Sequence, residues 1–244
     1  MAKIAYIIPG KGLKESEVVR RRKIANDIMR GLASVEVITV REGPDSIESA
    51  VEEAMASVSY LPEVIRMKDH YDAFVIGCFG DPGLRASREL IKKPVIGPAQ
   101  ASLHVISQLA EKFTIVTPLK TTIGITREVV KLYGFSDRVS SIYVAESSIS
   151  DINRDPDNLV KRLIDDLKLE IDRTGSEGIL LGCMSMGFSL IDEKIRESLG
   201  VPVVNPVKVS LGMAYIFSTF SLSHSRRTYP EPNYEKVIRE INEW

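Results

Sequence analysis

A chain of 244 residues, 44% hydrophobic and 27% charged, is long enough for one large or two small domains and reads as an ordinary globular protein. Its formal net charge is −1 with both signs spread along the chain, so no basic face points to nucleic acid, and its apolar runs are strand-sized, so no membrane span is expected. Two cysteines in so long a chain make no disulfide framework, and the N-terminus lacks a long signal core, so the expected setting is the cytoplasm with free thiols.

Residues 4–8 form a continuous apolar run, as in a strand buried on both faces, and Pro9-Gly10-Lys11-Gly12 ends it. Residues 15–32 follow with helical spacing, and Arg20, Arg21, Arg22 and Lys23 within them read as a solvated helix face. A second strand is expected at 35–40, one helix over 45–60 disturbed by Pro62, and a third strand at 73–77. Helix 82–91 begins at Pro82, which suits a first helical turn, and a small strand, 94–97, precedes helix 99–110. Strand 113–117, helix 122–133 closed by Gly134, strand 139–144 and a long amphipathic helix over 156–173 come next. Strand 178–182, one helix over 188–199, a small strand at 202–204 and helix 206–220 complete the alternation, before a polar tail and a last helix at 234–241. Alternating strands and helices predict an α/β fold with parallel sheets and right-handed crossovers.

The chain also repeats itself. Val75-Ile76-Gly77-Cys78 and Leu180-Leu181-Gly182-Cys183 are both apolar strands ending in Gly-Cys, and they hold both cysteines. Pro94-Val-Ile-Gly-Pro-Ala-Gln-Ala-Ser-Leu103 matches Pro202-Val-Val-Asn-Pro-Val-Lys-Val-Ser-Leu211 at Pro, Val, Pro, Ser and Leu. Two such halves related by a pseudo-twofold axis present equivalent strand ends to one cleft, and open parallel sheets bind ligands at the carboxyl ends of their strands. Cys78 and Cys183 would then approach one ligand from opposite sides.

Opposed thiols suit inversion at carbon. One, as thiolate, takes a proton from one face; the other, as thiol, returns one to the opposite face. The ordinary cysteine pKa of about 8.5 puts both forms within reach of modest tuning. The loops Phe79-Gly80-Asp81 and Met184-Ser185-Met186, with the helices after them, would supply N–H groups to a thiolate or a developing enolate. This chemistry needs neither metal nor organic cofactor, and none is expected. A buried inert cysteine and a disulfide between the two remain the bland alternatives.

Other signals are weaker. His70, His104 and His224 show no metal-ligand spacing, and His104 reads as a packing or hydrogen-bonding residue. Pro9-Gly10-Lys11-Gly12 is not a phosphate-binding loop, but its place at the end of the first strand makes Pro9 and Gly10 candidate cleft walls. Asp81 is expected to cap the helix after Pro82 rather than to move protons, while still lying at the substrate.

Cys78-Phe79-Gly80-Asp81-Pro82-Gly83-Leu84 resembles the aspartate/glutamate racemase superfamily, and within it the hydantoin racemase branch. Leu181-Gly182-Cys183-Met184-Ser185-Met186 is similar to that family's second cysteine stretch, usually Leu-Gly-Cys-Ala-Gly-Met. The resemblance spans nearly the whole chain and implies two Rossmann-like (flavodoxin-like) half-domains, with the chain crossing over so that its last helices pack on the first half. The expected domains are 1–98 plus 206–244 and 99–205, with the active site between them. The resemblance makes Cys78 and Cys183 the catalytic pair, with Pro9, Gly10, Phe79, Gly80, Asp81, Thr117, Met184 and Ser185 lining the substrate. Amino-acid racemases of the superfamily usually carry Cys-Asn-Thr and Cys-Thr-His, absent here, so free aspartate or glutamate is disfavoured. The expected activity is cofactor-independent racemisation of a 5-substituted hydantoin, with one small molecule and further copies of the chain as partners. Maleate isomerase-like or amino-acid racemase activity and a non-catalytic small-acid binding protein are the competing readings.

Overall fold

The structure is a computed structural model that describes residues 1–242. Glu243 and Trp244, at the end of the expected first domain, lie outside the described residues. The first half runs β1 (Ala2–Ile8), α1 (Glu15–Met29), β2 (Ala33–Thr39), α2 (Ala50–Ser59), α3 (Leu61–Met67), β3 (Ala73–Ile76), α4 (Leu84–Leu90) and β4 (Val95–Ile96). The second runs α5 (Pro98–Ile106), β5 (Phe113–Thr117), α6 (Ile123–Leu132), β6 (Val139–Val144), α7 (Ile149–Arg154), α8 (Pro156–Thr174), β7 (Gly178–Leu181), α9 (Met184–Phe188), α10 (Asp192–Leu199) and β8 (Val203–Val204). Helices α11 (Pro206–Thr219) and α12 (Tyr234–Asn242) close the chain.

The repeat is visible in the sheets. Each has four parallel strands, in the orders β2-β1-β3-β4 and β6-β5-β7-β8, so β1 corresponds to β5 and β3 to β7. Ile4 pairs with Val35 and Ala73 on its two sides, as Ile115 pairs with Ile142 and Leu180. The central strands are covered by helices on both faces, which explains their unbroken apolar sequences: Ile4, Ala5, Tyr6 and Ile7 are fully buried, as are Phe113, Ile115 and Val116. The expected α/β architecture of parallel sheets is borne out.

Two helices exchange halves. Helix α5 leaves the first sheet, and its Ala99, Leu103 and Ile106 pack with Phe113, Ile115, Leu180 and Val204 of the second. Helix α11 leaves the second sheet, and its Val207, Leu211 and Ala214 pack with Ile4, Tyr6 and Val75 of the first. The two helices also lie against each other. Met184 and Phe188 join the α11 cluster, so the loop after Cys183 is part of the first half's core.

Several local expectations are corrected. Residues 44–49 are an irregular loop rather than the start of a helix, because α2 begins only where Ser49 caps the Glu52 N–H. Pro62 opens the additional helix α3 at its first turn rather than ending α2. The expected helix over 188–199 starts only at Asp192, after Leu190 takes a left-handed backbone with φ 53°, and the separate short helix α9 precedes that turn. Helix α7 went unseen because its six residues are too few to show a helical period.

The polar tail has a structural task. Strand β4 is an edge, and the Val95 N–H donates to His224 Nε2 at 2.9 Å where a further strand would otherwise pair. Arg226 donates to the Arg88 and Glu89 carbonyls at 3.0 and 3.1 Å, and to the Ile91 carbonyl. Arg88 holds the Val95 carbonyl, the Gln100 side chain and the Tyr229 hydroxyl together. Burial and the cations Arg88 and Arg226 press His224 down to about 4 from 6.5, which keeps Nε2 an acceptor at neutral pH. The neutral ring's stabilising contribution is complete above about 6.5 and is lost as pH falls toward about 4. The thermal midpoint of the wild type should therefore fall more steeply over that window than that of His224→Phe. Parallel melting curves would refute the assignment.

Candidate active site

Cys78 follows β3 and Cys183 follows β7, the equivalent strands of the two sheets, and both thiols are free. They line one cavity of about 110 Å³ at the carboxyl ends of the strands. Pro9, Gly10, Phe79, Gly80, Thr117, Met184 and Ser185 line it as well, so the structure gathers nine of the ten anticipated site residues around one space.

Asp81 is the exception. It does not line the cavity, nor does it cap the helix after Pro82, which starts from Gly83 with φ 62°. The Asp81 carboxylate, 7% exposed, instead accepts from the Ala99 and Gln100 N–H groups at 2.9 Å each, and from the Tyr133 hydroxyl at 2.8 Å. It caps α5, the helix that crosses to the other half. A sequence window cannot show this, because cap and helix start are separated by the whole of α4. Burial raises the Asp81 pKa to about 6 against the three hydrogen bonds and Arg88, which lower it.

The loop after β2 supplies a wall that sequence reading took for helix: Asp45, Ser46 and Ile47 all face the cavity. It is held against the first loop by the Lys11 N–H donating to the Pro44 carbonyl at 3.0 Å, and by Gly12, where a side chain would overlap the Asp45 backbone. From the other half come Thr117, Thr122 and Thr126, with Thr117 Oγ1 2.6 Å from Thr122 Oγ1. Leu13, Ile125 and Ile149 add apolar surface, and Ile149 sits at the start of the unforeseen helix α7.

Arg21 overturns an expectation. Far from lying on a solvated face, it is 2% exposed and lines the cavity. Its Nη2 donates to Ser185 Oγ at 2.9 Å, its Nε to Glu17 at 2.8 Å, and its guanidinium stands over the Phe188 ring, 4.9 Å from the centroid. The apolar residues of α1 hinted at this: Arg21 lies one turn from Val18 and Ala25, both buried.

The two thiols sit in unlike surroundings. Burial pushes both up. At Cys183 it is opposed by hydrogen bonds from the Met186 and Ser185 N–H groups and the Ser185 hydroxyl, and by the Arg21 cation. At Cys78 one N–H, of Gly80, opposes it, while Glu53 and Asp81 add negative charge and raise it further. The Glu53 carboxyl is wedged against Gly80, and burial, then Glu128 and Asp81, raise it to about 7. Among the described residues no group of three or more His, Cys, Asp or Glu side chains is placed to hold a metal ion, and no helix is long and apolar enough to cross a membrane. His104 is exposed, with Nδ1 2.7 Å from the Gln100 carbonyl and its ring edge-on to Phe135, outside the cavity.

Residues 20–214 match the family described as Asp/Glu/Hydantoin racemase. Over 238 residues the chain is 30% identical to the hydantoin racemase of Pseudomonas sp. (strain NS671), covering 97% of this chain and 94% of that protein. It is 32% identical over 208 residues to the hydantoin racemase of Paenarthrobacter aurescens, covering 84% and 87%. Among solved structures, an allantoin racemase from Klebsiella pneumoniae superposes with a TM-score of 0.84 at 28% identity, over 96% of this chain and 94% of that one.

Proposed function

The chain belongs to the Asp/Glu/hydantoin racemase family, and we propose that it racemises 5-substituted hydantoins by proton transfer between C5 and the thiols of Cys78 and Cys183. The observation that carries this reading is the meeting of the two cysteines, from equivalent strand ends of two halves, around one cavity. One thiolate removes the proton from C5, leaving an enolate spread onto the neighbouring carbonyl. The opposite thiol returns a proton to the other face, and no cofactor takes part. Thr117, Thr122, Ser46 and the backbone after Cys78 offer partners to the ring's carbonyl and N–H groups. Leu13, Ile47, Phe79, Ile125 and Ile149 offer an apolar lining for the substituent. A hydantoin carries no ammonium group, which suits a lining with so much apolar surface.

The same reading divides the chain into domains 1–98 plus 206–244 and 99–205, with the substrate between them, and places a homo-oligomeric enzyme in the cytoplasm. Incubation of single enantiomers of 5-alkyl and 5-aryl hydantoins, and of allantoin, in D2O tests the activity. Optical rotation should decay to zero as deuterium enters C5. Retention of both rotation and protium with every substrate would refute it, and a covalent thioether with a conjugated acid would point to double-bond isomerisation instead.

A further inference from the structure

The two thiols are not interchangeable at rest. We propose that Arg21, acting through Ser185, is a positioning residue that makes Cys183 the more readily ionised thiol of the pair and leaves Cys78 as its proton-donating partner; this rests on the two-thiol reading above.

The geometry runs from α1 to the sulfur. Glu17 accepts from Arg21 at 2.8 Å, and from Arg20 through two bonds of 2.7 Å, so two guanidinium groups share this carboxylate and Arg21 is held in place on α1. Arg21 donates to Ser185 Oγ at 2.9 Å, which aims the remaining hydroxyl hydrogen away from the guanidinium, and that hydroxyl serves Cys183. Phe188, whose ring lies under the guanidinium, belongs to the same short helix as Ser185, so Arg21 grips the Cys183 loop at two points. Arg21 from α1 and Tyr6 from β1 act on this thiol, Cys78 from the loop after β3 and Asp45 from the loop after β2 share its cavity, and Arg20 and Glu17 stand behind Arg21. Cys78 instead feels the negative charge of Glu53, whose carboxyl lies against Gly80 two residues on, and of Asp81. A cation on one side and carboxyls on the other separate the two sulfurs' affinities for a proton.

The consequence for turnover balances. Once ionised, Cys183 takes the C5 proton and becomes thiol, while Cys78 thiol gives its proton and becomes thiolate. The charge on the pair is unchanged but has moved to the less favourable sulfur. Cys78 then regains a proton from water and Cys183 releases one, restoring the reactive form.

The test reads each thiol without substrate. Iodoacetamide alkylation is followed from neutral pH to about pH 12, and each cysteine is quantified by peptide mass spectrometry. The pH midpoint is the readout, because absolute rates also reflect the lower exposure of Cys183. In the wild type the Cys183 midpoint should lie below that of Cys78. Arg21→Met should raise it by about one unit, a tenfold slower reaction at a fixed pH below the midpoint, and leave Cys78 unmoved. Arg21→Lys should restore part of the shift, and Ser185→Ala should move Cys183 in the same direction by less. Circular dichroism checks each variant, and Ser185→Ala and Arg21→Lys carry the test if Arg21→Met does not fold. Cys78 titrating first in the wild type, or an unmoved Cys183 midpoint in the folded Arg21 and Ser185 variants, overturns the proposal. Since no hydantoin is present, this result stands apart from whether the chain racemises one.

Discussion

Replacing either Cys78 or Cys183 by serine should reduce racemisation of a hydantoin by about a thousandfold or more, in the range expected when a positioned acid or base is lost. Serine nearly preserves the shape of the side chain, so the cavity wall and the fold survive. What is lost is a group that ionises near neutral pH, since a hydroxyl gives up its proton far less readily than a thiol. The sharper expectation concerns what each variant retains. With Cys183 intact, Cys78→Ser can still remove a proton from the Cys183 face and return a solvent deuteron to that same face. Cys183→Ser does so from the other face, with the opposite enantiomer. Deuterium should therefore wash into different enantiomers in the two variants without loss of optical rotation, and the double variant should be scarcely slower in racemisation than either single one. Full racemase activity in either variant would end the two-thiol mechanism.

Asp81→Ala should lower stability by about 3 kcal/mol and slow turnover about tenfold, although Asp81 touches no substrate. Three buried donors, the N–H groups of Ala99 and Gln100 and the hydroxyl of Tyr133, lose their acceptor together. The damage reaches the site through the turn: the Asp81 N–H donates to the Cys78 carbonyl at 3.2 Å, and Ala at this left-handed position (φ 53°), no longer anchored to α5 by its side chain, holds that turn less firmly. Its pKa is raised to about 6, so the stabilisation tied to its protonated form is complete below about 3.8 and is lost as pH rises through about 6. Asp81→Asn should flatten that part of the stability profile. At neutral pH it should fall between wild type and Asp81→Ala, because one amide edge presents N–H to a site already full of donors. Urea melts at several pH values and kcat with a hydantoin check both. Wild-type stability in Asp81→Ala would refute the capping role, and an unchanged kcat would refute the link to Cys78.

Much of the fold lay in local pattern. Strand runs such as residues 4–8 and 113–117 are apolar throughout because both faces are covered, and this alone distinguishes central parallel strands from half-exposed ones. The likeness of the segments around Cys78 and Cys183 anticipated two sheets of equivalent strand order. Helices α3 and α7 and the loop at residues 44–49 escaped because short elements carry too few turns to show a period, and because tertiary contacts, not propensity, hold the loop in place.

For the candidate site, the sequence by itself determined that two thiols would stand at equivalent strand ends, since a Gly-Cys after an apolar strand is a local feature repeated in each half. Only the tertiary structure decided their inequality. Asp81 turns from the cavity to cap a helix beyond the next one, Glu53 presses on Gly80, and Arg21 reaches from the first half to the loop that carries Cys183. Each of these joins residues from different elements. A charged side chain reads as solvated in any local window, and it becomes a buried partner only when folding brings up the groups that satisfy it.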